Sequence, residues 1–108
     1  MVSQKKDLKS KPIKRLEEHL TKGNLWMYIL SLLKKKKKYA YNLHEEIENK
    51  FGFKPSRITI YVVLYKMENE GLIESNFEQR RKYYTITKKG KENLTQGKKR
   101  IKELLNII

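Results

Sequence analysis

The side chains best suited to chemistry on this chain lie on a short helix that follows Pro55. Short polar residues and an arginine near the start of a helix suit the base edges of a DNA major groove. The face that the apolar stripe of this helix leaves free carries Ser56, Arg57, Thr59, Tyr61, Tyr65 and Lys66. Arg57 could bond a guanine or a phosphate, and an ordinary solvated helix surface is the alternative interpretation.

Two clusters of cations could bind phosphate. The first lies between two β-rich runs and consists of Arg80, Arg81 and Lys82. Exposed cations on such a turn suit the DNA backbone or the minor groove. The second is the lysine run, residues 34–38, which we expect to be exposed because like charges at this density resist compact packing. Lys36 and Lys37 are its candidate DNA contacts, and a solvated turn is the alternative.

The overall charge also favours a polyanionic partner. The chain has 108 residues and a net charge of +14, from 26 Lys and Arg against 12 Asp and Glu. Such a surplus indicates nucleic acid first and an anionic membrane surface second. A lysine-rich proteome is the alternative explanation. There are no cysteines, which excludes disulfides, cysteine-based zinc sites, iron–sulfur clusters and a thiol nucleophile.

Catalysis has little support in the sequence. His19 and His44 stand alone, the carboxylates are scattered, and no glycine-rich phosphate loop is present. We therefore expect a protein that is not an enzyme, with no metal and no cofactor. The longest apolar stretch, Leu25–Leu33, is too short to span a bilayer. With no signal-peptide pattern either, we expect a soluble, cytoplasmic protein with no membrane partner.

The periodicity predicts four helices ahead of the β-rich runs. They cover residues 13–22, 25–33, about 42–51 and 57–70. Asn24 and Ser56 stand at N-cap positions, and glycines at 23, 52 and 71 close three of the helices. Residues 39–41 between the second and third helices are expected to form a short extended element.

Two strands and a final helix complete the predicted organisation. Residues 72–77 and 81–87 read as strands, and the loop between them lacks glycine, so a tight two-residue turn is not expected. Thr87 caps a last helix that runs toward Ile108. Helix, strand, basic turn and strand is the order of a winged helix-turn-helix. The predicted fold class is mainly α with a small β-hairpin wing. It comprises a flexible basic arm (1–11), a DNA-binding domain (12–87) and a dimerisation helix (88–108).

The last helix carries an apolar seam that resembles half of a coiled coil. Its members are Leu94, Ile101, Leu104, Leu105 and Ile108. A helix of about 20 residues is about 30 Å long, which exceeds what so small a domain needs. A two-fold homodimer is the favoured interpretation, to which Ile13, Leu16 and Leu20 could add, and packing on its own domain is the alternative.

Taken together, residues 24–33, 39–43, 58–64, 70–73 and 81–90 resemble the PadR family of transcriptional regulators. The most specific parts are Thr59 and Tyr61 followed by Leu64 and Gly71-Leu72-Ile73, and the stretch at 81–90. The resemblance implies a dimeric winged helix, usually a repressor on a palindromic operator. It places Thr59 and Tyr61 on the recognition helix and the cations at 80–82 on the wing. The lysine run departs from the family, and nothing marks a pocket for the small-molecule effectors that some members bind.

The leading hypothesis is therefore a homodimeric regulator that binds double-stranded DNA. Two alternatives remain open. One is a chromatin-like protein that binds DNA largely without regard to sequence, which the lysine run favours. The other is a winged-helix module whose basic face binds an acidic protein.

Overall fold

The computed structural model describes residues 8–108 as a set of helices around one small antiparallel sheet. The expected basic arm at 1–11 falls largely outside the described residues, and the first helix already begins at Lys11. The elements are α1 (Lys11–Leu20), a 3-10 turn (Lys22–Asn24), α2 (Leu25–Leu33), β1 (Lys38–Tyr39), α3 (Ala40–Phe51), α4 (Arg57–Asn69), β2 (Ile73–Glu78), β3 (Arg81–Ile86) and α5 (Lys88–Ile107). The predicted fold class is confirmed.

Helix α2 lies at the centre of the core. It packs against α3, α4, α5 and β3, and five of its nine residues are buried. The predicted apolar face, which includes Leu25 and Ile29, is buried. Leu30 lies outside that face and is buried too, because other elements surround the helix on several sides. None of the helices at residues 8–108 is both long and apolar enough to cross a membrane.

The helix ends follow the predicted caps, except at residues 23 and 24. Gly23 does not close α1, which ends at Leu20 with Thr21 as its C-cap, because Gly23 lies inside the 3-10 turn. The Ser56 hydroxyl accepts from the Thr59 backbone N–H at 3.0 Å, and the Thr87 hydroxyl accepts from that of Gly90 at 3.0 Å. Gly71, with a φ of +77°, closes α4 in the left-handed region that favours glycine. Asn24 does not cap α2 through its side chain, which instead donates to the His19 carbonyl and accepts from the Trp26 indole.

The sheet has three strands in the order β1-β3-β2, all antiparallel. The extended element predicted at 39–41 lies one residue earlier, at Lys38–Tyr39, and α3 begins at Ala40. The Tyr39 backbone N–H donates to Asn42 Oδ1, so Asn42 lies inside the helix and Tyr39 is its N-cap. Through β1 the sheet is joined directly to the start of α3.

The prediction that the whole lysine run is exposed is wrong for its last member. Lys38 is 5% exposed, whereas the other four lysines lie on the surface. Its position on β1, opposite Tyr84 of β3, turns the side chain inward, and its ammonium group lies 2.9 Å from Glu46 Oε2 of α3. A paired carboxylate offsets the cost of removing an ammonium group from water.

The turn between β2 and β3 also differs from the prediction. Glu78 pairs with Arg81, so only two residues connect the strands. Gln79 and Arg80 adopt φ values of +50° and +72°, which is the pattern of a tight type I′ turn. Without glycine, both residues occupy a region that L-amino acids disfavour.

Among the described residues, the first half of α5 packs on the other elements and the second half does not. Leu94 is 5% exposed and belongs to the core, so its assignment to a dimer seam is wrong. Gly97 lies against the Trp26 ring, and a Cβ there would come within 2.7 Å of it. Every residue from 98 to 108 is exposed. The apolar residues of the seam that remain available are Ile101, Leu104, Leu105 and Ile108.

We expect Gln79→Gly to stabilise the protein by about 1 kcal/mol, because glycine adopts a positive φ without the steric penalty of a side chain. The free energy of unfolding in urea measures the effect. Asn76→Gly on β2, where the backbone is extended, is the matched control and should destabilise. Equal losses for the two variants would contradict the strain assigned to the turn.

We expect Glu46→Gln to cost about 1–2 kcal/mol of stability, because it leaves the buried Lys38 ammonium group without its charged partner. Lys38→Met should cost less, since a methionine of similar length removes the charge together with the need for a partner. Urea unfolding again gives the measurement, with the exposed Glu48→Gln as control. A greater loss of stability for Lys38→Met than for Glu46→Gln would contradict the role of Glu46 in compensating the buried charge.

Candidate nucleic-acid interface

Helix α4 presents an exposed face of mixed chemistry. At 3.6 residues per turn, Ile60, Leu64 and Met67 form the buried stripe, so the centre of the opposite face falls on Ile58, Val62 and Tyr65. The remaining predicted residues lie on its two flanks. Arg57 and Tyr61 are on one side, and Thr59 and Lys66 are on the other. Sequence reasoning missed Ile58 and Val62, although the same periodicity that located the core stripe could have indicated them.

The start of α4 is held by hydroxyl groups. Besides accepting from the Thr59 N–H, Ser56 Oγ lies 2.8 Å from Thr59 Oγ1, and Thr59 is half-buried. Ser56 and Arg57 are exposed. The first turn therefore presents one hydroxyl and one guanidinium group to the outside, with the backbone N–H groups of the helix behind them.

The flank with Arg57 and Tyr61 faces the start of α3. These two side chains line a small cavity of about 70 Å³ with Tyr41 and His44, residues that the sequence did not single out for this site. The Tyr41 hydroxyl donates to Glu45 at 3.0 Å, and this hydrogen bond to a carboxylate raises the pKa of Tyr41. Tyr41 therefore stays a neutral hydroxyl near neutral pH, and its ring is half exposed beside Arg57.

Lys66 is separated from that group. It lines a different cleft, of about 320 Å³, together with Trp26 and Asn93. The structure thus brings Arg57 and Tyr61 together and leaves Lys66 on the opposite flank of α4.

The three cations of the wing are directed to different places. The Arg81 guanidinium carbon lies 4.6 Å from the centre of the Tyr39 ring, toward β1. Lys82 is 3.7 Å from Glu68 Oε1 of α4 and 5.6 Å from the centre of the Tyr84 ring. Alternation along β3 produces this separation, because successive side chains point to opposite faces of a strand. Arg80 occupies the tip of the hairpin and is exposed.

An ion pair joins the lysine run to the wing. Lys37 Nζ lies 2.7 and 2.6 Å from the two carboxylate oxygens of Glu78, and both side chains are about half exposed. Lys37 is also 5.3 Å from the centre of the Tyr83 ring, which packs edge-on against Tyr39 at 5.6 Å. Lys37 and Arg81 therefore share one surface with two tyrosines, a grouping that sequence reasoning missed because it depends on the pairing of β1 with β3.

The rest of the lysine run adds positive charge near α3. Lys36 is exposed, and Lys35 lies close enough to Lys50 at the end of α3 to lower the pKa of Lys50 by charge repulsion. Within residues 8–108, no group of three or more histidines and carboxylates is arranged to hold a metal ion.

Comparison with known proteins identifies the family. The family model described as "Transcriptional regulator PadR-like family" matches residues 29–96. The fold is similar to that of a transcriptional regulator from Clostridium thermocellum, at 28% identity and a TM-score of 0.73, over 79% of this chain and 89% of that one.

Two further structures carry the family name. A PadR family transcription regulator from Clostridium difficile is 31% identical, with a TM-score of 0.68, over 75% of this chain and 93% of that one. PadR of Bacillus subtilis, solved in complex with operator DNA, is 26% identical with a TM-score of 0.60, over 68% of this chain and 45% of that one. These matches place the chain among regulators rather than enzymes. Since the family model covers more than half of its length, the chain belongs to the PadR-like family of transcriptional regulators.

Proposed function

We propose that this PadR-family regulator binds double-stranded DNA as a homodimer and represses transcription from a palindromic operator. The observation that carries the proposal is the position of the exposed face of α4 beside the wing, connected through the contact between Glu68 and Lys82. A helix for the major groove and a hairpin for the neighbouring backbone are thereby held together. The similar fold of Bacillus subtilis PadR, solved with operator DNA, supports this arrangement.

The charge distribution supports a role for the wing and the lysine run in binding phosphate. Lys36 and Arg80 are exposed, and Lys37 and Arg81 lie on one surface with Tyr83 and Tyr39. Contacts of this kind position a protein on the duplex without reading its sequence. Arg57 and Tyr61 of α4 lie on the flank beside α3, where they can reach base edges or phosphates.

Two apolar stripes that residues 8–108 leave uncovered support the homodimer. Helix α1 has no buried residue, and Ile13, Leu16 and Leu20 on it are each about half exposed. Ile101 and Leu104 of α5 are likewise exposed beyond the point where that helix leaves the core. Exposed apolar stripes on amphipathic helices indicate association. A two-fold dimer would present two copies of α4 to two half-sites, which accounts for a palindromic operator.

A second candidate function is DNA binding largely independent of sequence, which the exposed lysines at 34–37 favour. Competition between random duplexes and duplexes selected from a random pool separates the two. An affinity ratio near one supports the second function, and a ratio of about a thousand or more supports the regulator.

Removal of the wing cations should weaken DNA binding unequally. We expect Arg80→Ala to reduce the slope of log K against log salt by about one, since Arg80 is exposed at the tip. Lys82→Ala should reduce it less, because Glu68 already partly neutralises that ammonium group. A salt titration of duplex binding measures both slopes. The exposed Lys91→Ala on α5 is the control, and an unchanged slope in Arg80→Ala would remove the wing from the mechanism.

Loss of the carboxylate at 78 should strengthen DNA binding. Glu78→Gln frees Lys37 and removes a negative charge from the surface proposed to face phosphate, so we expect an affinity gain of about three- to tenfold at low salt. Glu74→Gln removes an equal charge elsewhere on β2 and is the matched control. Gains of equal size in the two variants would mean that only net charge matters.

Charge placed on the tail of α5 should dissociate the dimer. We expect Ile101→Glu with Leu104→Glu to give a folded monomer, because both side chains lie outside the core of their own chain. Sedimentation equilibrium gives the mass, and circular dichroism checks that the helices persist. Lys102→Glu, which reverses the charge at a neighbouring exposed position, is the control. A double variant that stays dimeric would place the interface elsewhere.

A further inference from the structure

The centre of the exposed face of α4 is apolar. Ile58 is 77% exposed, Val62 is 45% exposed and Tyr65 is 68% exposed, and none of the three belongs to the core. Ile58 and Val62 are four residues apart, so their side chains are neighbours on the helix surface. Two adjacent branched aliphatic side chains thus form a small apolar ridge, the Ile58–Val62 ridge, along the middle of the helix.

Stability does not account for this ridge. Exposed aliphatic side chains bury little area, and β-branched residues are weaker helix formers than alanine. Single exposed apolar side chains are common, but adjacent ones with a rim of polar and charged residues mark an interaction site. A partner that covers the ridge must therefore offer apolar groups, and it must also attract the cations around them.

The charges around the ridge favour DNA over an apolar protein surface. Arg57 is next to Ile58 in the chain, Lys66 follows Val62 by one turn, and Lys82 of the wing lies 3.7 Å from Glu68 Oε1 near the end of the helix. A partner that covers the ridge would therefore also meet several positive charges on a chain of net charge +14. The major groove combines phosphates along its edges with an apolar group at its floor, which is the C5-methyl group of thymine.

We propose that Ile58 and Val62 contact thymine methyl groups, so that the regulator selects sites with thymine at the positions beneath the ridge. This inference rests on the proposed binding of double-stranded DNA. Different faces of α4 would then make different kinds of contact. Arg57 and Tyr61 supply polar contacts on one flank, and the ridge supplies the discrimination between thymine and cytosine that charge cannot provide.

The test removes methyl groups without altering base pairing. A duplex is selected from a random pool with the wild-type protein, and each thymine is then replaced in turn by deoxyuridine. We expect one or more replacements to weaken binding about fourfold each, which corresponds to the loss of one buried methyl group. The salt slope should stay unchanged, since no charge is altered.

Protein variants are then tested against the same thymine and deoxyuridine duplexes. Ile58→Ala and Val62→Ala should bind the thymine duplex more weakly and lose their sensitivity to one of the deoxyuridine replacements. Both should fold, because neither side chain lies in the core. Leu8→Ala, which truncates an exposed aliphatic side chain outside α4, should behave as the wild type.

The outcomes separate this inference from the function on which it rests. A wild type that binds the selected duplex, with every deoxyuridine replacement within twofold, overturns methyl recognition and leaves DNA binding intact. Undiminished sensitivity in both alanine variants also overturns it. A wild type that ignores duplexes at low salt overturns both proposals and assigns the ridge to a protein partner.

Discussion

The burial of α2 is the constraint on which the rest of the molecule depends. This helix contacts α3, α4, α5 and β3, and so the helix and the wing strand that carry candidate DNA contacts are both positioned against it. Its mostly apolar sequence from Leu25 to Leu33 is short, which limits the core to one layer of helices around it. A change in the packing of α2 would shift α4, the sheet and the first half of α5 together.

A second constraint is the excess of positive charge, which the fold accommodates by pairing selected lysines with carboxylates. Glu46 neutralises the buried Lys38, Glu78 pairs with Lys37, and Glu68 lies near Lys82. Each pair joins elements that are distant in the chain or separate in the fold. The pairs of Glu78 with Lys37 and of Glu68 with Lys82 are exposed and contribute little to stability, but they limit where the long lysine side chains lie. The carboxylates therefore organise the basic surface while they lower its charge.

The sequence was sufficient for features that depend on local chemistry. Ser56, Gly71 and Thr87 mark helix ends because caps depend on a hydroxyl or a positive φ within a few residues. It was insufficient where distant contacts decide. Lys38 is buried because β1 pairs with β3, and no pattern within the lysine run indicates that pairing. Leu94 fits the periodicity of a dimer seam and of a core contact equally well, so only the docking of α5 on α2 decides its position.

The turn at Gln79 and Arg80 shows a second reason why the sequence did not predict part of the fold. Turn propensity disfavours positive φ at both residues, yet six registered pairs between β2 and β3 hold the hairpin closed around them. Cooperative pairing along the ladder thus outweighs a local penalty of a few kcal/mol. One consequence is that an arginine, and not a glycine, stands at the tip of the wing.

The exposed face of α4 brings these constraints together. One stripe of the helix must be apolar to pack on α2, and the wing and the exposed lysines at 34–37 already supply positive charge. Charge attracts any duplex equally, so additional lysines on α4 would add affinity without selectivity. Under the proposed function, the apolar ridge in the middle of the basic surface therefore discriminates between bases. Removing its side chains from water beside a base is favourable only where that base offers an apolar group. Helix α4 has only 13 residues, and one of its faces packs on the core. Under the proposed function, the opposite face must also contact a groove through apolar groups. The two faces of α4 therefore differ little in polarity.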